Sequence, residues 1–123
     1  MKILIVDDDA IMRLCLQTCL EKEGYVVALT SNAHEALGKI RDFNPSLIIT
    51  DIKMPGISGL EMLTMFKGHL FDDVPVIIIS TLSGYEVKFF ANAIGADAYF
   101  VKPVKLNEVV ETIRGLVGVP VKA

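Results

Sequence analysis

Four short runs of consecutive apolar residues, rich in β-branched side chains, punctuate the chain: Ile3–Val6, Leu47–Thr50, Val74–Ile79 and Ala98–Val101. A weaker fifth run, Tyr25–Leu29, follows Gly24. Apolarity that does not alternate with polar residues predicts strands buried on both faces, the habit of a parallel sheet. The stretches between the runs follow a different period. Val87, Phe90, Ala91 and Ile94 recur at i, i+3, i+4 and i+7, as do Leu106, Val109, Val110 and Ile113, which predicts helices. Ser58-Gly59-Leu60-Glu61 and Ser83-Gly84-Tyr85-Glu86 both read as capping boxes that start helices, while the start near Lys105 has no such cap. Gly24, Gly68 and Gly95 are placed to close helices, and Pro45, Pro75 and Pro103 mark loops or strand starts.

The order is therefore strand then helix, repeated five times with no internal linker or repeat. Such alternation predicts an α/β fold, a doubly wound five-stranded parallel sheet with helices on both faces and right-handed crossovers. The domain is expected over residues 1–118, with 119–123 as a tail or the edge of a linker. With 123 residues, 52% of them apolar, one domain can bury a core without disulfide staples. A net charge of −3 lacks the basic footprint of a nucleic-acid surface. No apolar run approaches the roughly 18 residues of a membrane span. Met1–Val6 leads straight into acids without a small-residue cleavage site, so no signal peptide is expected and the default compartment is the cytoplasm. Cys15 and Cys19, four apart on the first predicted helix, then read as small buried hydrophobes rather than a redox pair or half a zinc site. His34 is expected on the surface and His69 in a loop.

The sheet gives the acids a meaning. Open α/β sheets bind ligands at the carboxyl ends of their strands. Asp7, Asp8 and Asp9 follow the first predicted strand, Asp51 the third, Ser80 and Thr81 the fourth, and Lys102 the fifth. Any one of them has an ordinary explanation; Asp8 or Asp9, for instance, could simply cap the first helix. Together they bring carboxylates, a hydroxyl and an ammonium to one rim. Ionised carboxylates that close repel and call for a cation, and a hard divalent ion such as magnesium suits oxygen ligands beside a phosphate. A lysine and a hydroxyl next to it match what phosphoryl oxygens require.

The ordered set Val6-Asp7-Asp8-Asp9, Asp51-Ile52-Lys53-Met54-Pro55-Gly56 with Gly59, Ser80-Thr81 and Val101-Lys102-Pro103 resembles the receiver domain of two-component response regulators, over essentially the whole chain. The resemblance, not the pattern, supplies the strand order 2-1-3-4-5 of a flavodoxin-like (βα)5 domain. It implies a phosphoacceptor in a histidine–aspartate phosphorelay. Asp51 would accept phosphoryl from a sensor histidine kinase or a histidine phosphotransfer protein. Asp8, Asp51 and the backbone carbonyl of Lys53 would ligate Mg2+, with Asp7 acting through a water. Ser80 and Lys102 would each contact a phosphoryl oxygen, Pro103 would form a turn with a cis bond, and Gly59 would let the loop after Asp51 approach the third helix. The domain would phosphorylate and dephosphorylate itself without being a turnover enzyme.

Some positions depart from the family pattern. Thr81 stands where many receivers carry alanine, and Val104 replaces a frequent phenylalanine. Lys53 and Leu82 offer no acceptor to orient water, which implies slow self-dephosphorylation. Tyr99, three residues before Lys102, occupies the place of an aromatic that packs inward or outward with phosphorylation state; an ordinary strand aromatic is the alternative. Tyr85 and Phe89, i and i+4 on the fourth predicted helix, form an outward aromatic pair if Val87, Phe90, Ala91 and Ile94 face the core. With Tyr99 they mark the α4-β5-α5 face as the contact for a downstream effector protein; no direct nucleic-acid or membrane partner is expected. The enzymatic alternative is a small Mg-dependent phosphohydrolase with an aspartyl nucleophile, for which Asp7 and Asp9 have the right spacing. A flavodoxin-like cofactor domain would need a Gly/Ser/Thr-rich phosphate loop where three aspartates stand.

Overall fold

The computed structural model describes residues 1–67 and 73–120. Gly68 and His69, expected to close a helix and to lie in a loop, fall outside the described residues. Five strands alternate with five helices: β1 (Lys2–Val6), α1 (Ala10–Lys22), β2 (Val26–Thr30), α2 (Ala33–Phe43), β3 (Leu47–Thr50), α3 (Gly59–Phe66), β4 (Val76–Ser80), α4 (Tyr85–Ala93), β5 (Ala98–Val101) and α5 (Leu106–Val117). All strand pairs are parallel, and the sheet order is β2-β1-β3-β4-β5.

Successive side chains on a strand point to opposite faces, so each apolar run feeds two cores. Leu4, Val6, Ile48, Val76 and Ile78 pack with Ala36, Ile40, Met62, Leu63 and Ala91 of α2, α3 and α4. Ile3, Ile5, Leu47, Ile49, Ile77 and Ile79 pack on the other side with Leu16, Leu20, Val109, Val110 and Ile113 of α1 and α5. Burial on both faces holds for the three inner strands. The edge strands β2 and β5 are only partly covered.

Several expected boundaries shift for local reasons. Pro75 has no N–H to donate, and β4 begins just after it rather than at Val74. Tyr25 donates its backbone N–H to Leu20, closing the turn that follows α1, and β2 starts one residue later. Ser58 and Glu61 form the expected capping box. Ser83 does not cap α4: the N-cap is Gly84, in extended conformation and without a side-chain cap bond, so Glu86 sits one position too early to close a box. The N-cap of α1 is Asp9, whose side chain accepts from the N–H groups of Ile11 and Met12.

Two burial expectations are corrected. Phe90 is 51% exposed, whereas Ala91 is fully buried and Val87 and Ile94 are half-buried. Val87, Ala91 and Ile94 form a narrow seam, and Phe90 lies about 60° around the helix from Val87, off its edge. Cys15 is exposed and Cys19 half-buried. Leu16 and Leu20 take the inward face of α1, leaving both thiols beside it.

The chain beyond α5 turns at Gly118 and reaches Pro120, which is buried with its ring against Gly24. Tyr25 donates its hydroxyl to the Gly118 carbonyl, and Arg114 pairs with Glu23, tying the end of α5 to the α1–β2 turn. Among the described residues, no helix is long and apolar enough to cross a membrane.

Candidate functional site

In-register strand ends build the site. Val6 pairs with Thr30 and Thr50, and Ser80 pairs with Val101. The residues that follow continue the ladder: Asp7 donates its N–H to Thr30, Asp51 to Val6, and Lys102 to Ser80. Asp7, Asp51 and Lys102 therefore leave the sheet at one rim, with Ser80 as the last residue of β4.

Asp7 and Asp51 are 2% and 7% exposed, and Asp8 is open to solvent. One carboxylate oxygen from each of the three can be drawn so that all lie within 4.8 Å of one another. Every carboxylate oxygen of the buried pair is engaged. Asp7 Oδ1 accepts from the Asp9 N–H at 2.9 Å and Asp51 Oδ1 from the Ile52 N–H at 2.6 Å. Their Oδ2 atoms share the Lys102 ammonium, at 3.0 Å from Asp7 and 2.8 Å from Asp51.

Burial pushes the Asp7 carboxyl above its ordinary value, against the pull of the Asp9 N–H and the Lys102 charge. Burial also works against the Lys102 ammonium. Its hydrogen bonds to Asp51 and Asp7 and their charges outweigh that and hold it above the usual lysine value. Lys102 thus stays cationic, and the peptide bond to Pro103 is cis, as the resemblance implied.

Ser80 is fully buried, and its hydroxyl accepts from the Leu82 N–H at 3.2 Å. Tyr99 is half-buried and donates its hydroxyl to the Leu82 carbonyl at 2.6 Å. Lys53 is exposed and lines one open concavity with Asp8, Met54 and Ser58. Thr81 is exposed and lines a second groove with Asp9, Met12, Cys15, Lys102 and Val104. Gly59 starts α3 with its N–H on the Ile52 carbonyl, under the loop that carries Asp51. Tyr85 and Phe89 are 79% and 64% exposed, their rings stacked at 6.2 Å between centroids. His34 is exposed as expected.

Asp9 stands apart from this pocket. Its Oδ1 accepts from the N–H groups of Ile11 and Met12 in the first turn of α1, and it is not among the three clustered carboxylates. Two contacts escaped the sequence reading. Arg13 donates to the Asp7 carbonyl at 2.7 Å, and Lys88 lies over the Tyr99 ring at 5.9 Å. The first pair is six residues apart around a helix start and the second bridges two elements, so neither leaves a local pattern.

The family profile of the response regulator receiver domain matches residues 3–114. The two-component response regulator PhoP of Pseudomonas aeruginosa is 32% identical over 116 residues, which cover 94% of this chain and 51% of PhoP. Protein PilG of the same organism is 31% identical over 93% of this chain and 85% of its own length. The chain thus spans about half of PhoP but most of PilG. Among solved structures, a CheY-like response regulator receiver domain protein from Methanospirillum hungatei superposes with a TM-score of 0.87 at 35% identity, covering 93% of this chain and 90% of that one. Sequence family, sheet order and acidic pocket agree: the chain belongs to the response regulator receiver domain family, a signalling domain of two-component systems rather than a turnover enzyme.

Proposed function

We propose that residues 1–118 form a phosphoacceptor domain that takes a phosphoryl group onto Asp51 from the phosphohistidine of a sensor histidine kinase or histidine phosphotransfer protein. The observation that carries this reading is the setting of Asp51, a buried carboxylate held by a backbone N–H on one oxygen and an ammonium on the other. In the transfer, an Asp51 carboxylate oxygen forms the new P–O bond as the P–N bond to the partner's imidazole breaks. Ser80, at the end of the neighbouring strand, and Lys102 would each take a phosphoryl oxygen. Lys102 would exchange an aspartate oxygen for the more highly charged phosphoryl.

Three carboxylates with oxygens inside 4.8 Å of one another are a hard, anionic donor set that suits Mg2+ better than a soft metal. Asp8 and Asp51, with the Lys53 carbonyl, would hold the ion, and Asp7 would act through a water. When bound, Mg2+ neutralises charge on the transferring phosphoryl group. Phosphorylation adds roughly −1.5 to −2 charges at the rim. The α4-β5-α5 face, where Tyr85, Phe89 and Tyr99 lie, then changes its affinity for a downstream effector protein. With Leu82 apolar and its N–H and carbonyl both occupied, and Lys53 a donor only, self-dephosphorylation is slow. Such a cycle operates in the cytoplasm. Incubation with Mg2+ and a small phosphodonor tests the reading: a base-labile gain of about 80 Da on the peptide containing Asp51 supports it, and a gain elsewhere contradicts it.

A further inference from the structure

Leu82 is gripped at both ends of its backbone. Its N–H donates to the Ser80 hydroxyl at 3.2 Å, and its carbonyl accepts from the Tyr99 hydroxyl at 2.6 Å. Tyr99 is thus linked to the Ser80 hydroxyl through the backbone of a single residue, Leu82.

The polar hold on that ring comes from another element. Lys88, on α4, places its ammonium 5.9 Å from the ring centroid, within the range of a cation–π contact. Tyr99 also packs against the core cluster that contains Ala91 of the same helix. Swinging the ring outward would break the Lys88 contact and the hydrogen bond to Leu82 together. A cation on the exposed side of α4 thus reaches the pocket through an aromatic ring and the backbone of one residue.

We propose that Lys88 is a positioning residue: its ammonium holds Tyr99 beneath the Leu82 carbonyl and thereby sets the Ser80 hydroxyl for phosphoryl transfer to Asp51. The functional half of this statement rests on the phosphoacceptor reading above; the structural half does not. Lys88 lies between Tyr85 and Phe89 in sequence, on the helix proposed to meet the effector. An effector carboxylate that captures Lys88, or acylation of its amine, would withdraw the cation from the ring and be felt at Ser80.

The test compares Lys88→Met and Lys88→Arg with the wild-type chain. Hydrogen exchange of the Leu82 amide reports the grip, and the rate of Asp51 phosphorylation by a small phosphodonor with Mg2+ reports its consequence. An exposed cation–π contact corresponds to about a two- to fivefold effect. Lys88→Met is expected to speed Leu82 exchange and slow phosphorylation by that factor, and Lys88→Arg to restore both. The melting temperature should fall by no more than about 5 °C in either variant. Leu82 exchange unchanged in Lys88→Met, or no rescue by arginine, overturns the proposal. Failure of the wild-type chain to accept phosphoryl would instead count against the phosphoacceptor reading, with Leu82 exchange still deciding the role of Lys88.

Discussion

A Cβ built on Gly59 would lie 1.8 Å from the carbonyl oxygen of Asp51 and 2.9 Å from its carbonyl carbon. The first residue of α3 thus rests directly on the peptide of the proposed phosphoacceptor. That oxygen also accepts from the Thr50 hydroxyl at 2.8 Å, so it has no room to retreat without losing a buried hydrogen bond.

Gly59→Ala follows from this contact. Overpacking against backbone costs about 1–3 kcal/mol, and here the displaced atoms belong to Asp51 itself. Urea denaturation should show that loss, accompanied by slower phosphoryl acceptance. A variant as stable and as reactive as the wild type would mean that the contact is not tight.

The pH dependence of the metal-free protein should carry the mark of Asp7. Burial raises its folded pKa, so its contribution to stability is fully present below the ordinary aspartate value and is lost as pH rises through the raised one. Asp7→Asn removes that loss. The stability of the variant relative to wild type should therefore climb from acid toward neutral pH. Parallel profiles in denaturant titrations would contradict this origin.

Asp8 and Lys102 should divide the labour. Asp8 offers an exposed oxygen to the carboxylate cluster, whereas Lys102 bridges the two buried carboxylates. Asp8→Ala should abolish the rise in melting temperature on adding Mg2+, a rise that reflects binding to the folded state. Lys102→Ala should keep that rise and impair the response to phosphorylation. Equal loss of Mg2+ stabilisation in both variants would refute the division.

The aromatic pair on α4 should matter for binding and little for folding. Tyr85 and Phe89 are mostly exposed, so Tyr85→Ala and Phe89→Ala should each change stability by less than about 1 kcal/mol. A core Phe→Ala change costs about 3–5 kcal/mol. Both variants should bind the phosphorylation-dependent partner more weakly while accepting phosphoryl normally. A loss of several kcal/mol for Phe89→Ala would place that ring in the core.

Much of the fold was legible because inner strands of a parallel sheet leave uninterrupted apolar runs. Leu47–Thr50, an inner strand, is read from the chain with the bounds the structure shows, and so is the edge strand Ala98–Val101, whose residues are apolar although only partly covered. The rim residues were legible for a related reason, since each directly follows or ends such a run. Phase on α4 was not. Phe90 differs from Val87 by one helical step of three, and the residue pattern alone does not say which of the two marks the centre of the buried seam. The N-cap of α4 failed similarly, because Ser83 and Glu86 have the spacing of a box while the helix begins one residue later. Contacts such as Lys88 over Tyr99 depend on how a helix packs against a strand, which no local spacing records.

The central claim is that Asp51 receives the phosphoryl group. Asp51→Asn preserves shape but replaces the nucleophilic carboxylate with an amide. With Mg2+ and a small phosphodonor, intact mass analysis of the wild-type chain should show a base-labile gain of about 80 Da, and Asp51→Asn should show none while keeping its fold. The same gain in Asp51→Asn would contradict the account.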